Sequence, residues 1–507
     1  MSLQNTAAGK GRPELYIGLV AASGTDLEPV KNQLKAQLAS FDYRYHEIKL
    51  SKLISGLCKI TTEGVREDIR IKDLMDGGDR IRAAYKGGDG VIALAVAAIR
   101  KLRSDNEDSS EGFTGSTAYI IDSLKNPEEI ATLNALYGRN FYTVSIYSSE
   151  HDRCIRLANR IAESSGTSVR DEHRQQAQTV IKEDAKRNSS SLSQDVQNTF
   201  PKADFFVESS NSIEMHIKRF VELIFGEPFI TPTNDEYAMF LAKAASLRSC
   251  DLSRQVGAVI IDDRDAIIST GCNDVPYPGG GMYYEGREGA DNRDHTVEFD
   301  PNSSEISNVI LELVSAFKKA QIFNEETAGQ SDDEIVSKLL HGEWKSYTID
   351  ARVRNLIEFG RVVHAEMHAL SDAARLGRRV ARGKLFCTTF PCHICARHII
   401  ASGIKEVIFI EPYPKSLTKS LYQREISTDD RKGDLPEAVI FRPFQGVSPI
   451  LYQRVFAYRP RKTKIGTIIH LKRKEALPIG ASFTVANPHL EENLSGKVDE
   501  IRTQLTV

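Results

Sequence analysis

Cysteine is scarce: 7 in 507 residues, an odd number, beside a single tryptophan. A set so sparse and uneven excludes a secreted disulfide scaffold and makes a reducing cytoplasm the expected setting. Charge of one sign is missing as well. Lys plus Arg is 66 and Asp plus Glu is 69, a formal net charge of −3. There is no bulk attraction to nucleic acid or to an anionic membrane, and any phosphate-binding surface must be a local patch. Long apolar runs are absent: stretches such as residues 90–99 are too short to span a bilayer. Residues 1–13 lack the apolar core of a signal peptide. The expectation is a cytoplasmic protein without a membrane partner. No internal repeat is visible. What is there is ordinary for a globular protein, with 41% hydrophobic and 27% charged residues.

Along the chain, residues 15–22 (LYIGLVAA) are a short apolar run that ends in Ser23-Gly24-Thr25-Asp26. Leu27, Val30, Leu34 and Leu38 follow at helical spacing. This reads as buried strand, turn and helix. Residues 90–97 (GVIALAVA), 118–121, 141–146 and 205–207 read as further buried strands, with helical patterns at 127–137 and 213–225. Buried strands alternating with helices predict a parallel α/β sheet. Residues 148–203, polar and carrying an SSSLS tract, read as a helical lid or a poorly ordered insertion. A boundary at 227/228 then divides an N-terminal domain, 1–227, from a second, 228–507. In the second, 235–248 is helical and 256–261 with 266–270 is a hairpin. Residues 273–304 read as a long loop and 323–345 as an insertion. Helix 361–376, strand 384–389, helix 392–401 and strand 406–410 complete a three-layer α/β pattern. Beyond about 441 the pattern weakens.

The strongest chemical signal is His364-Ala365-Glu366 followed by Pro391-Cys392-His393-Ile394-Cys395. One His and two Cys supply three zinc ligands, which leaves the fourth position for water, as in catalytic sites. Pro391 precedes Cys392 at a helix start, where the positive helix end favours thiolate. Cys395 lies one turn on, on the same face. Glu366 stands beside the metal without ligating it, placed to take and return a proton. The alternative is a structural zinc site, or thiols that are merely buried. Cys58, Cys154 and Cys387 read as buried thiols, and His368 and His393 as hydrogen-bonded helix histidines.

The pattern H-x-E…P-C-x-x-C resembles the signature of zinc nucleobase deaminases. Residues 254–273 (RQVGAVIIDDRDAIISTGCN), 364–370 (HAEMHAL) and 402–409 (SGIKEVIF) resemble the deoxycytidylate deaminases. The resemblance implies a cytidine-deaminase-like three-layer α/β/α domain. It implies Zn2+ on His364, Cys392 and Cys395, Glu366 as proton shuttle, and Asn273 contacting the sugar or holding the pyrimidine pocket. The implied reaction is hydrolysis of the C4 amine of a deoxycytidine nucleotide. Arg254, Tyr413 and Lys415 are candidates for the substrate phosphate, each with a surface or loop-bracing alternative. Phe390 is a candidate for the pyrimidine face, or a core aromatic.

The chain as a whole, including 411–422 (EPYPKSLTKSLY), resembles the bacterial anti-phage dCTP deaminases, which join a P-loop-like domain to a deaminase and deplete deoxycytidine nucleotides. That resemblance implies a homo-oligomer, a hexamer in many related enzymes, and a nucleotide effector or small inhibitory RNA as further partners. Residues 119–147 resemble the later half of P-loop nucleotide kinases. Yet a P-loop needs G-x-x-x-x-G-K-[ST]. Counted back from Gly24, Leu19 stands at the first glycine, Thr25 at the lysine and Asp26 at the hydroxyl position. Gly18, Ser23, Gly24, Thr25 and Asp26 are therefore candidates for nucleotide binding without ATP hydrolysis, in a regulatory module or a scaffold. Eight basic residues between Arg454 and Lys474, interleaved with Tyr452, Phe456 and Tyr458, offer phosphate and base contacts or a solvated face. Two rival functions stay open: a polynucleotide deaminase, and a non-catalytic protein on a deaminase fold.

Overall fold

The computed structural model describes residues 12–107, 116–186, 193–209, 212–287, 289–298, 300–349, 351–412, 416–428 and 437–506. They fall into two compact units. The first takes in the described residues up to 240 together with 443–506, and the second 241–427 with 437–442. The division at 227/228 places everything beyond it in one domain, whereas by packing 443–506 belong with the N-terminal sheet.

In the first unit, β1 (Leu15–Ala21), β2 (Tyr43–Lys49), β3 (Ser116–Leu124), β4 (Phe141–Tyr147) and β5 (Phe205–Glu208) are parallel neighbours. The last strand of the chain, β12 (Gly446–Val447), adds antiparallel to β5, giving the order β12-β5-β4-β1-β3-β2. All seven residues of β1 are buried. Successive side chains point to opposite faces, so Leu15, Ile17 and Leu19 meet Val30, Leu34 and Phe220, while Tyr16 and Val20 meet the helix Gly90–Glu107. A strand covered on both sides needs a continuous apolar run, which is why the sequence reads cleanly here.

Residues 90–97 are a correction. They form the start of the helix Gly90–Glu107, not a strand. From Gly90 to Val96 every residue is buried, and Leu94 and Ile99 join a cluster with Leu494 and Ile501 of the helix Pro488–Thr506. A helix enclosed all round loses the polar stripe that would reveal its 3.6-residue period. The stretch 148–203 contains the helices Glu150–Ser164 and Asp171–Lys186, which share a small core of Leu157, Ile161, Val180 and Met75. Part of the basic run near the C-terminus is used internally, while Lys462, Lys464 and Lys474 are exposed. Arg454 donates to Tyr142 Oη at 2.6 Å, Arg461 to the Pro228 carbonyl at 2.8 Å, and Arg473 pairs with Glu222. Tyr452 stacks on Phe240 at 4.2 Å, while Tyr458 is exposed.

The second unit carries β6 (Gly257–Ile261), β7 (Ile267–Cys272), β8 (Lys384–Thr389), β9 (Glu406–Glu411), β10 (Ile426–Ser427) and β11 (Val439–Pro443), ordered β10-β11-β9-β8-β6-β7. The hairpin β6–β7 is antiparallel, and β8 and β9 are parallel across the helix His393–Ala401. Two glycines set how closely helices approach. A Cβ on Gly257 would collide with the Ala242 carbonyl, and one on Gly271 with the Ala365 carbonyl. Helix backbone thus lies directly on the hairpin from both faces. The expected loop at 273–304 gives way to the helix Pro301–Lys319, whose Ile306, Ile310 and Val314 pack on Ile335 and Leu340 of the helix Asp332–Leu340. Among the described residues no helix is long and apolar enough to cross a membrane.

Candidate metal centre and active site

Two helix starts converge. His364 is the N-cap of the helix Ala365–Arg375, and Cys392 is the N-cap of His393–Ala401, both in extended backbone. At Cys392 the N-cap geometry turns the side chain back across its own helix start, while His364 makes no side-chain cap bond. The Cys392 sulfur accepts the Cys395 N–H at 3.5 Å. The close seat of Ala365 on Gly271 anchors one helix, and the β8 strand delivers the other.

His364 Nδ1 lies 3.3 Å from Cys392 Sγ and 3.4 Å from Cys395 Sγ, and the three donor atoms lie within 4.8 Å of one another. Tetrahedral zinc, with sulfur at about 2.3 Å and nitrogen at about 2.0 Å, calls for N···S separations near 3.5 Å. The donor set therefore fits zinc, and it is the one such cluster of three among the described residues. Its electrostatics ask for a cation. The hydrogen bond to Cys392 raises the His364 imidazole to about 9. Cys392 is pushed down by the hydrogen bond from Cys395 and by His364, while Cys395 is pushed up by giving that bond and by burial. Cys392 is thus the more acidic of the two thiols, and a metal needs both as thiolates with a neutral imidazole.

Glu366 sits in the first turn of its helix and is 4% exposed. Burial raises its carboxyl above the ordinary range, with the Cys392 charge adding to this. The Cys387 thiol on β8 is buried, as expected, and is pushed up by burial and then by this nearby carboxylate, a neighbour the sequence did not name. Counting alternate residues along β8 puts Cys387 with Leu385 on the helix-covered face, which is the signal that could have found it. His368 behaves as a helix histidine should: its Nδ1 takes the Cys272 N–H at 3.0 Å.

The other candidates separate. Asn273 is buried, and its side chain braces the chain before β6, accepting from Val256 N at 2.7 Å and donating to the Arg254 carbonyl at 2.8 Å. Arg254 is exposed, with its backbone held by Asp251 at 2.9 Å. Phe390 is enclosed, 4.9 Å from the Phe409 ring and 5.5 Å from that of Phe441, so its ring belongs to the core. Tyr413 and Lys415 lie outside the described residues. In the first unit, Ser23, Gly24, Thr25 and Asp26 line one cavity of about 600 Å³. Gly18 does not join them. It lies within β1, where a Cβ would strike Leu124 and Phe141, so packing accounts for it.

Residues 232–411 match the family model of the cytidine and deoxycytidylate deaminase zinc-binding region. Over this segment the chain is similar to the zinc-binding deaminases. The match covers about a third of the chain. The deoxycytidylate deaminase of Enterobacteria phage T2 is 32% identical over 91 residues, which are 17% of this chain and 42% of that protein. That of phage T4 is 31% identical over 91 residues, 17% of this chain and 40% of the relative. The chain thus spans less than half the length of these curated relatives. A solved dCMP deaminase of the cyanophage S-TIM5 aligns with 42% of this chain and 100% of its own at 17% identity and a TM-score of 0.22, too low to carry weight. Zinc is the cofactor, and the matched segment contains all three donor residues and Glu366.

Proposed function

We propose that the chain hydrolyses the C4 amine of a deoxycytidine nucleotide, dCTP or dCMP, to give the deoxyuridine nucleotide and ammonia. The observation that carries this reading is the buried Glu366 carboxyl beside the His364, Cys392 and Cys395 donors. Zinc held there supplies a Lewis acid that brings the acidity of water near neutrality. Glu366 takes the proton that the attacking water gives up and delivers it to the departing amine. One water is consumed, the C4–N bond breaks and a C4 carbonyl forms. Its burial lets Glu366 hold a proton at neutral pH more readily than a solvated carboxylate does. Asn273 keeps residues 254–256 in place, which sets the backbone that carries Arg254, the proposed phosphate contact together with Tyr413 and Lys415.

The names of the phage relatives support deoxycytidine nucleotides as the substrate class. Depletion of that pool in anti-phage defence is the biological reading we attach to the activity. Under this reading the second unit is the catalytic part, and the first unit, completed by 443–506, a P-loop-like regulatory part that answers to a nucleotide or a small RNA, in a cytoplasmic homo-oligomer. Without the P-loop lysine, and with Asp26 at the hydroxyl position, phosphoryl transfer is not part of the proposal.

Ammonia release by the purified protein from dCMP, dCTP, CMP and single-stranded DNA tests the reading. Turnover of a free deoxycytidine nucleotide is the expected result, and turnover of the DNA alone overturns it. Loss of protection in a plaque assay on Glu366→Gln would support the defence role, and full protection would remove it. Light scattering of the pure protein reads the oligomer, where a monomer mass would dismiss that part.

A further inference from the structure

A separate cavity of about 640 Å³, within the size range of ligand clefts, opens among four helices of the first unit: Leu50–Cys58, Glu67–Tyr85, Gly90–Glu107 and Pro488–Thr506. Its floor is aliphatic. Leu53 and Leu57 stand one turn apart on the first of these helices, Leu94 and Ala98 on the third, and Val498 and Leu505 on the fourth. Spacings of four and seven residues mark the stripe that a helix ordinarily turns to a core. Here Leu53, Leu57, Val498 and Leu505 are only half-buried. Gly56 lies in the same trough, exposed inside its helix, where a Cβ would meet nothing within 4 Å. Glycine weakens a helix interior, and at this place it leaves the trough open.

The rim carries charge of one sign. Lys52, Lys59, Arg80, Lys101 and Arg502 line it, and no aspartate or glutamate does. In a chain whose acids outnumber its bases, 69 to 66, that is a local excess. Arg502 pairs with Asp499 at 2.7 Å, and Arg80 lies against the Cys58 sulfur. Lys52, Lys59 and Lys101 make no side-chain hydrogen bond or ion pair among the described residues.

Three features narrow the occupant. The cations are spread over all four helices, so they complement several negative charges set apart rather than one head group. The lining has no aromatic ring on which a base could stack, which turns it away from nucleic acid. The open aliphatic floor suits apolar side chains that recur at i, i+3, i+4 and i+7. We propose that this trough docks an acidic amphipathic helix of a partner protein, its aliphatic face on the floor and its carboxylates on the rim. Nothing is transferred; the event is binding. It uses no residue of the metal centre and stands apart from the deaminase reading.

Fluorescence anisotropy on the full chain tests it. The probe is a labelled peptide of about 20 residues, long enough to hold a helix, with leucine at i, i+3, i+4 and i+7 and glutamate elsewhere. The expected result is micromolar binding that weakens as salt is added. The double variant Lys59→Glu with Lys101→Glu binds this peptide about tenfold more weakly and gains affinity for the peptide that carries lysine in place of glutamate. Both positions are exposed, so the fold is kept, as circular dichroism verifies. Gly56→Glu obstructs the trough and lowers affinity, while the melting temperature holds, because glutamate is the better helix former and meets open space. Gly496→Glu, equally open but outside the lining, leaves binding unchanged. No binding of the glutamate peptide, or equal binding by the wild type and the trough variants, overturns the proposal. Displacement of the peptide by palmitate assigns the trough to a lipid, and displacement by polyuridylate assigns it to RNA; either overturns it too. Ammonia release from dCMP and dCTP, measured on the same samples, reports separately on the second unit, so failure of one reading does not imitate failure of the other.

Discussion

Glu366 combines burial with two thiol neighbours, Cys395 and Cys387, which is an unusual setting for a carboxylate and a costly one unless it has a use. Glu366→Gln keeps the shape and leaves the three donors intact. It should retain zinc, read by metal analysis, while ammonia release falls by about 10²–10⁴-fold. Normal turnover would remove Glu366 as the proton carrier. A second residue-scale prediction concerns Asp204 in the first unit. Burial pushes its carboxyl up to about 6, against bonds from Thr143 and the charge of Arg454. Its folded value is raised above the unfolded one near 3.9, so its favourable contribution is complete below about pH 4 and lost as pH rises to about 6. Asp204→Asn should therefore gain on the wild type across that window, by about 3 kcal/mol at most, and no further above it. Urea unfolding of both proteins at a series of pH values reads the difference, and a constant gap would refute it. At this scale the donor set was legible because zinc needs particular atoms at particular spacings. The nearness of Cys387 to Glu366 and the bracing bonds of Asn273 were not, since contacts between segments far apart leave no spacing in the sequence.

Among the elements, the hairpin β6–β7 places the site. Gly271 lets the Ala365 backbone touch the strand, and Ala365 lies between His364 and Glu366. Gly271→Ala inserts a Cβ against a carbonyl that cannot swing away. We expect a loss of about 1–3 kcal/mol or more in unfolding free energy, with weaker zinc retention because the helix start shifts. Ile261→Val, on the same hairpin, is the control, with the modest loss of a single methyl group. Unchanged zinc content in Gly271→Ala would separate the glycine from the site. The strands β1, β4, β6, β8 and β9 were legible because short buried runs and turn residues announce them. The start of the helix Gly90–Glu107 was not, because enclosure of its first two turns erased their period. The helices Pro301–Lys319 and Asp332–Leu340 hid within a polar stretch because they bury only narrow faces against each other.

For the whole molecule, the C-terminal segment matters most to the first unit. Val447, Leu451, Val455, Leu494 and Ile501 are each 3% exposed or less, and Glu491 bonds Tyr137 Oη at 3.0 Å and Arg103 at 2.8 Å. At about 1.5–3 kcal/mol for each large apolar side chain, these five rival the 5–15 kcal/mol that holds a typical domain folded. Deleting 443–507 should leave the first unit insoluble or open to proteolysis, as fractionation and limited digestion would reveal. A protease-resistant first unit would contradict this. Chelation of zinc should abolish ammonia release and lower the melting temperature, since bound metal stabilises the state that holds it; readdition of zinc restores both. From the amino acids alone came the donor set that could hold zinc, the carboxylate proposed to carry protons, and most of the runs that must be buried, because these follow from atom types and short periods. Only the tertiary structure decided which unit the last 65 residues complete and which thiol lies near Glu366, because contacts between residues far apart in sequence are set by packing.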